Sequence, residues 1–136
     1  MDNSVTAQIG RDKYSTELTT SRHQLFADEP EDKGGSNVGP APGEFLRLSL
    51  ASCTAITLRM YADRKEWDVE KIVVQVSSKA GENQTTFTRQ VDITGNINDA
   101  QRKRLLEIAN ACPIHKVLTM PIIIDTDLNI LLPDEI

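Results

Sequence analysis

The chain holds two cysteines, Cys53 and Cys112, in 136 residues. These are the side chains whose type and setting could do chemistry. A thiol reacts as its thiolate, so a reactive cysteine needs a cation or a helix N-terminus close by and some access. Cys53 sits between Ser52 and Thr54 in the most apolar stretch, with Arg47 and Arg59 six positions away on either side. Two readings fit it: a small buried hydrophobe, or a thiol whose activating cation comes from elsewhere in the fold. Cys112 lies in Ala111-Cys112-Pro113-Ile114-His115-Lys116. There it precedes the start of a short helix, at the positive end of its dipole, with His115 and Lys116 close by. It also completes an apolar face begun by Leu105, so core packing stays open for it too.

Other chemistries find little support. His23 and His115 with the two cysteines match a zinc site in number only, because no Cys-x-x-Cys and no His pair exists. No metal is expected. A Gly-x-Ser-x-Gly elbow is absent, and Gly34, Gly35 and Gly39 lack the spacing that cradles a phosphate. No cofactor is expected either. A Cys–His transferase using His115 would require that imidazole within hydrogen-bond reach of a thiol.

The elements that must position these thiols follow from periodicity. Val5–Gly10, Tyr14–Thr20 and His23–Ala27 read as short strands, with Gly10-Arg11-Asp12-Lys13 as a turn. Residues 28–43 hold four of the seven glycines and three of the six prolines, which makes them a loop. A long helix is expected over Gly43–Lys65, with Pro42 in its first turn and Glu44 at the positive end of its dipole. Its apolar residues run almost all round, which suits a helix in the middle of something larger than one thin domain. Glu44 and Cys53 are nine residues apart, about 180° around the helix, so within one chain they point apart. Trp67 is expected to anchor the corner that follows, and Arg59, Arg64 and Lys65 are solvated charges at the helix C-terminus.

Two strands come next, alternating at Ile72, Val74 and Val76, then at Phe87, Val91 and Ile93, with a turn at Lys79–Asn83. Asn98 and Gln101 form a capping-box-like pair at the start of a second helix. Leu105, Ile108, Ala109 and Cys112 share one of its faces. Pro113 ends that helix or starts another over Ile114–Met120. A last strand is expected over Pro121–Asp127, followed by a tail, Leu128–Ile136, that extends it or hangs loose. Strands grouped apart from helices give an α+β fold, and the length suits one domain over residues 1–136.

Composition narrows the function class. There are 15 Lys and Arg against 20 Asp and Glu, a formal charge of −5. That argues against general nucleic-acid binding, which needs a basic footprint. No stretch reads as a membrane span, and the N-terminus lacks a basic-then-apolar leader. The cytosol is the expected compartment, where thiols stay reduced. Hydrophobic residues make up 39%. That is slightly low, as expected of a core completed by a partner chain.

The segments Gly39-Pro40-Ala41-Pro42-Gly43-Glu44-Phe45-Leu46, Leu50-Ala51-Ser52-Cys53-Thr54 and Cys112-Pro113 together resemble the OsmC/Ohr superfamily (osmotically inducible protein C and organic hydroperoxide resistance protein). Cys53 stands eleven residues after Pro42, which is the spacing of that family's reactive cysteine. Ala27-Asp28-Glu29-Pro30, Gly34-Gly35 and Arg59-Met60-Tyr61-Ala62-Asp63-Arg64-Lys65 look like one OsmC-like subgroup. The resemblance implies an intertwined homodimer with long central helices and antiparallel sheets outside. It also implies a thiol peroxidase. Cys53 would attack an organic hydroperoxide and become a sulfenic acid, Cys112 would condense with it to a disulfide, and an external dithiol would reduce that bond. The family's peroxidase branch places an Arg by the thiol and a Glu on that Arg. The Glu directly follows the Pro, where this chain has Gly43; Glu44 comes one place later. By position Arg11 is the counterpart of the Arg, with Arg22 as a substitute. If Glu44 serves the thiol, the resemblance combined with the helix geometry has it do so from the partner chain. The rival reading is a non-enzymatic dimeric module that binds a small apolar ligand between chains, with both cysteines inert.

Overall fold

The computed structural model describes residues 3–133 of the chain. Three short strands come first: β1 (Thr6–Gln8), β2 (Thr16–Thr19) and β3 (Gln24–Ala27). They pair antiparallel in the order β1-β2-β3, with Thr6 opposite Thr19 and Leu18 opposite Leu25. The Gly- and Pro-rich segment after β3 is a loop containing one 3₁₀ turn at Glu31–Lys33. It is tied down by the buried Asp28 carboxylate, which accepts from the backbone N–H groups of Tyr14, Glu29, Ser36 and Val38 at 2.7–3.3 Å. Gly35 is required there, because a Cβ would overlap the Glu29 carbonyl.

Helix α1 (Pro42–Lys65) begins one residue before the expected start. The Ala41 N–H donates to the Glu44 carboxylate at 2.9 Å, so this side chain caps its own helix. The helix buries Leu50, Thr54, Leu58, Tyr61 and Ala62, one stripe at helical spacing. It ends at Glu66 in the left-handed conformation, whose N–H returns to Ala62 and Asp63 carbonyls. Trp67 then packs edge-on against Tyr61, ring centres 5.5 Å apart, and turns the chain into the next strand.

Strands β4 (Asp68–Ala80) and β5 (Thr85–Asn96) form a long hairpin. The alternating residues pair as Ile72 with Ile93 and Val74 with Val91. Gly95 lies opposite Val69, where a Cβ would overlap the Asp68 carbonyl. Helix α2 (Asp99–Asn110) opens with the expected reciprocal cap. Asn98 Oδ1 accepts from Gln101 N at 2.8 Å, and Gln101 Oε1 accepts from Asn98 N at 3.0 Å. Leu58, Tyr61, Leu105 and Ala109 form the buried centre, with Trp67, Ile72, Val91, Ile93, Ile97 and Ile108 packed around them. Each fully buried leucine in that centre contributes about 2 kcal/mol.

Two expectations need correction. The short helix after Cys112, α3 (Pro113–Leu118), has Cys112 as its N-cap as expected but starts one residue before Ile114 and ends two before Met120. The strand expected over Pro121–Asp127 is absent: residues 121–127 have no regular secondary structure. A strand exists only with a hydrogen-bonding neighbour, and neither sheet of this chain lends it an edge. Ile123 and Ile124 are 86% and 82% exposed. The tail continues without a strand to Leu132, and residues 134–136 lie outside the described part.

Candidate active site

The site is built where the middle of α1, the inner side of β5 and the α2–α3 corner meet. On α1, Thr54 belongs to the buried stripe, so the adjacent Cys53 comes to its edge, half-buried. From the corner, Cys112 points inward with no exposed surface. As the N-cap of α3 it accepts the His115 backbone N–H at 3.4 Å. Both cysteines are free thiols. Cys53 is close enough to bias the ionisation of Cys112. The fold thus brings together two residues 59 positions apart in sequence.

The cation between these elements is Arg89. Its Nη1 donates to Thr54 Oγ1 at 3.0 Å, and its Nη2 donates to Asn110 Oδ1 at 2.8 Å and contacts His115 Nδ1 at 3.1 Å. A guanidinium only donates, so His115 Nδ1 must accept. That fixes a neutral imidazole with its proton on Nε2. The His115 pKa is lowered accordingly, first by burial and then by the Arg89 charge. Thr54 Oγ1 donates to the Leu50 carbonyl at 2.7 Å and lies 3.7 Å from Cys112 Sγ.

Burial alone would push the Cys112 thiol up. It is outweighed by the His115 N–H, the Thr54 hydroxyl, the Cys53 thiol and the Arg89 charge, so the Cys112 pKa is lowered. Arg89 and His115 also form the polar end of a pocket of about 390 Å³, whose other walls include Leu46, Leu50, Phe87 and Leu118. A charged end and an apolar body suit a small amphipathic molecule.

Within one chain the remaining candidates stand elsewhere. Glu44 is exposed and occupied with the Ala41 N–H. Arg11 lies in the exposed bend between β1 and β2, and Arg22 in the exposed bend between β2 and β3. A Cβ at Gly43 would meet nothing closer than the Arg47 guanidinium, at 3.6 Å. Among the described residues no group of three or more His, Cys, Asp or Glu side chains could hold a metal ion. No helix there is long and apolar enough to cross a membrane.

Sequence reasoning passed over Arg89 and Thr54. A signal for Arg89 was present: it occupies the same strand face as Phe87, Val91 and Ile93. A charge on the inward face of a strand asks for a buried partner.

Comparison with known proteins places this geometry. The family model described as OsmC-like protein matches residues 33–127. Among solved structures, an OsmC-like protein from Mycoplasma pneumoniae is 20% identical with a TM-score of 0.74, covering 87% of each chain. An organic hydroperoxide resistance protein OsmC from Legionella pneumophila is 19% identical with a TM-score of 0.64, covering 88% of this chain and 90% of its own. An organic hydroperoxide resistance protein from Elizabethkingia anophelis is 16% identical with a TM-score of 0.59, covering 88% and 89%. No curated protein matches the chain significantly.

Proposed function

The chain belongs to the OsmC-like protein family, and from that premise we propose that it is a thiol peroxidase that reduces organic hydroperoxides. The observation that carries the reading is the neighbouring pair of free thiols, Cys53 and Cys112, with Arg89, which acts on Cys112, also lining a largely apolar pocket. Two structural neighbours, from Legionella pneumophila and Elizabethkingia anophelis, are named for organic hydroperoxide resistance.

Cys53 is the attacking thiol because it keeps exposed surface while Cys112 has none. Its thiolate displaces an alkoxide from the outer peroxide oxygen. The O–O bond breaks, the alkoxide takes a proton and leaves as the alcohol, and Cys53 becomes a sulfenic acid. The Cys112 thiolate then attacks that sulfur, hydroxide leaves as water, and the Cys53–Cys112 disulfide forms. An external dithiol returns both thiols. The pocket walls Leu46, Leu50, Phe87 and Leu118 favour an alkyl-bearing peroxide over hydrogen peroxide, since they give the alkyl group somewhere to bury.

The active species in this reading is a cytosolic homodimer. The partner covers the exposed Leu46, Leu48, Ile56 and Met60 of α1 and brings Glu44 and Arg11 toward the thiols. Titration of thiols before and after one equivalent of cumene hydroperoxide tests the reaction. Two thiols per chain should disappear, and Cys53→Ser should reduce peroxide consumption to background. If both thiols survive, the pocket is a binding site with inert cysteines and the peroxidase reading is wrong.

A further inference from the structure

The hydrogen-bond inventory around Cys112 exceeds what packing a small hydrophobe requires. Thr54 has one hydroxyl hydrogen and two lone pairs. The Leu50 carbonyl takes the hydrogen at 2.7 Å, and Arg89 Nη1–H occupies one lone pair at 3.0 Å. The second lone pair faces Cys112 Sγ at 3.7 Å and accepts its S–H. Once Cys112 loses that proton, the same hydroxyl can turn from Leu50 to the sulfur. Arg89 keeps the Thr54 oxygen in place through either state, because its other nitrogen is fixed by Asn110 and His115. The His115 backbone N–H already points at the sulfur. The charged and titratable groups facing Cys112 are Arg89 from β5, Cys53 from α1 and His115 from α3; α2 adds only the neutral Asn110.

We infer that Arg89 is a positioning residue for Cys112, acting through the Thr54 hydroxyl, and that it makes Cys112 the leaving thiolate when an external dithiol opens the disulfide at Cys53. Access sets the direction of attack: Cys112 has no exposed surface and Cys53 is half-buried. A thiolate of the dithiol bonds to Cys53 Sγ. The Cys53–Cys112 bond breaks and its electron pair goes to Cys112 Sγ, where Thr54, His115 N–H and Arg89 receive the charge. The second thiolate of the reductant then attacks the reductant's own sulfur and releases Cys53 as a thiolate. The dithiol ends as a disulfide and the protein as two thiols. A leaving thiol that ionises readily departs faster.

The leaving-group half rests on the Cys53–Cys112 disulfide of the proposed function, though not on peroxide as its source; the positioning half does not. Cys53→Ser leaves Cys112 as the sole thiol, and its ionisation can be followed by ultraviolet thiolate absorbance. In that background Arg89→Gln and Thr54→Val should each move the midpoint up by about one pH unit. Thr54→Ser, which keeps the hydroxyl, should stay near the parent. An unchanged midpoint in Thr54→Val overturns the relay through the hydroxyl, even if Arg89→Gln fails to fold. For the second half, the parent chain is oxidised with diamide and given limiting glutathione. It is then quenched in acid, alkylated and mapped by mass spectrometry. Glutathione should be found on Cys53. Glutathione on Cys112, or no Cys53–Cys112 bond after diamide, overturns the leaving-group assignment. Neither arm uses peroxide, so a chain that passes both but consumes no hydroperoxide loses the proposed function and keeps this inference.

Discussion

The corner around Cys112 and the exposed apolar residues of α1 and the tail are built on contrary terms. In the corner, α1, β5 and α3 close over Thr54 and Cys112 without leaving either accessible, and every polar group is matched. Among the described residues no buried side-chain nitrogen or oxygen lacks a hydrogen-bond partner. Outside it, Ile56 and Met60 of α1 and Ile122, Ile123, Ile124, Leu128, Ile130, Leu131 and Leu132 of the tail, together called the flank, are exposed. The contrast teaches that the hydrogen bonds around Cys112 close within one chain, whereas the apolar residues exposed on α1 are the ones the proposed partner chain would cover.

The largest expected effect lies on the flank. The double substitution Ile123→Asp and Ile124→Asp should convert a species of twice the 15.1 kDa chain mass into monomer, read by light scattering after size exclusion. It should also remove the concentration dependence of the melting temperature. Full retention of the larger species would break the comparison, because the flank would then be unused surface.

Asp28 gives an intermediate effect and sharpens the contrast, since its partners are all within the chain. Burial opposes its ionisation, but the Val38, Glu29, Tyr14 and Ser36 N–H groups outweigh burial and hold its pKa below the ordinary aspartate range. A lowered folded-state pKa means that this stabilisation is complete above the unfolded aspartate value. It fades as pH falls through the folded one. Asp28→Asn should therefore lower the melting temperature at neutral pH at every protein concentration. It should also flatten the loss of stability on acidification, measured by thermal melts across a pH series.

The smallest effect is a control for both regions. Asn98→Ala removes one half of the α2 cap and should cost about 1 kcal/mol, or roughly 4 °C in melting temperature. The alkylation rate of Cys112 and the oligomeric mass should not change. A change in either would mean that the cap reaches the corner or the flank.

Local grammar made much of the fold legible. The helix from Pro42 to Lys65, the hairpin pairing Ile72 with Ile93, and the Asn98–Gln101 cap rest on residues within one turn or one ladder of each other. Such interactions follow from spacing. The strand expected over Pro121–Asp127 failed because a strand's hydrogen bonds lie on another strand, and alternation or apolar content says nothing of which one. Within one chain Glu44 accepts the Ala41 N–H three residues back, a contact as local as the Asn98–Gln101 cap.

By itself, the sequence determined that two cysteines stand in two separate helical settings, at Cys53 and before Pro113, in a chain whose long helix is too apolar for its own small domain. Spacing along the chain carries that much, because helix faces and caps are local. Only the tertiary structure decided which cation stands by Cys112. Arg89 reaches Thr54, Asn110 and His115 because β5, α1 and the α2–α3 corner converge. A guanidinium's partners are set by where its three-dimensional neighbours place their acceptors, which no spacing in one strand encodes.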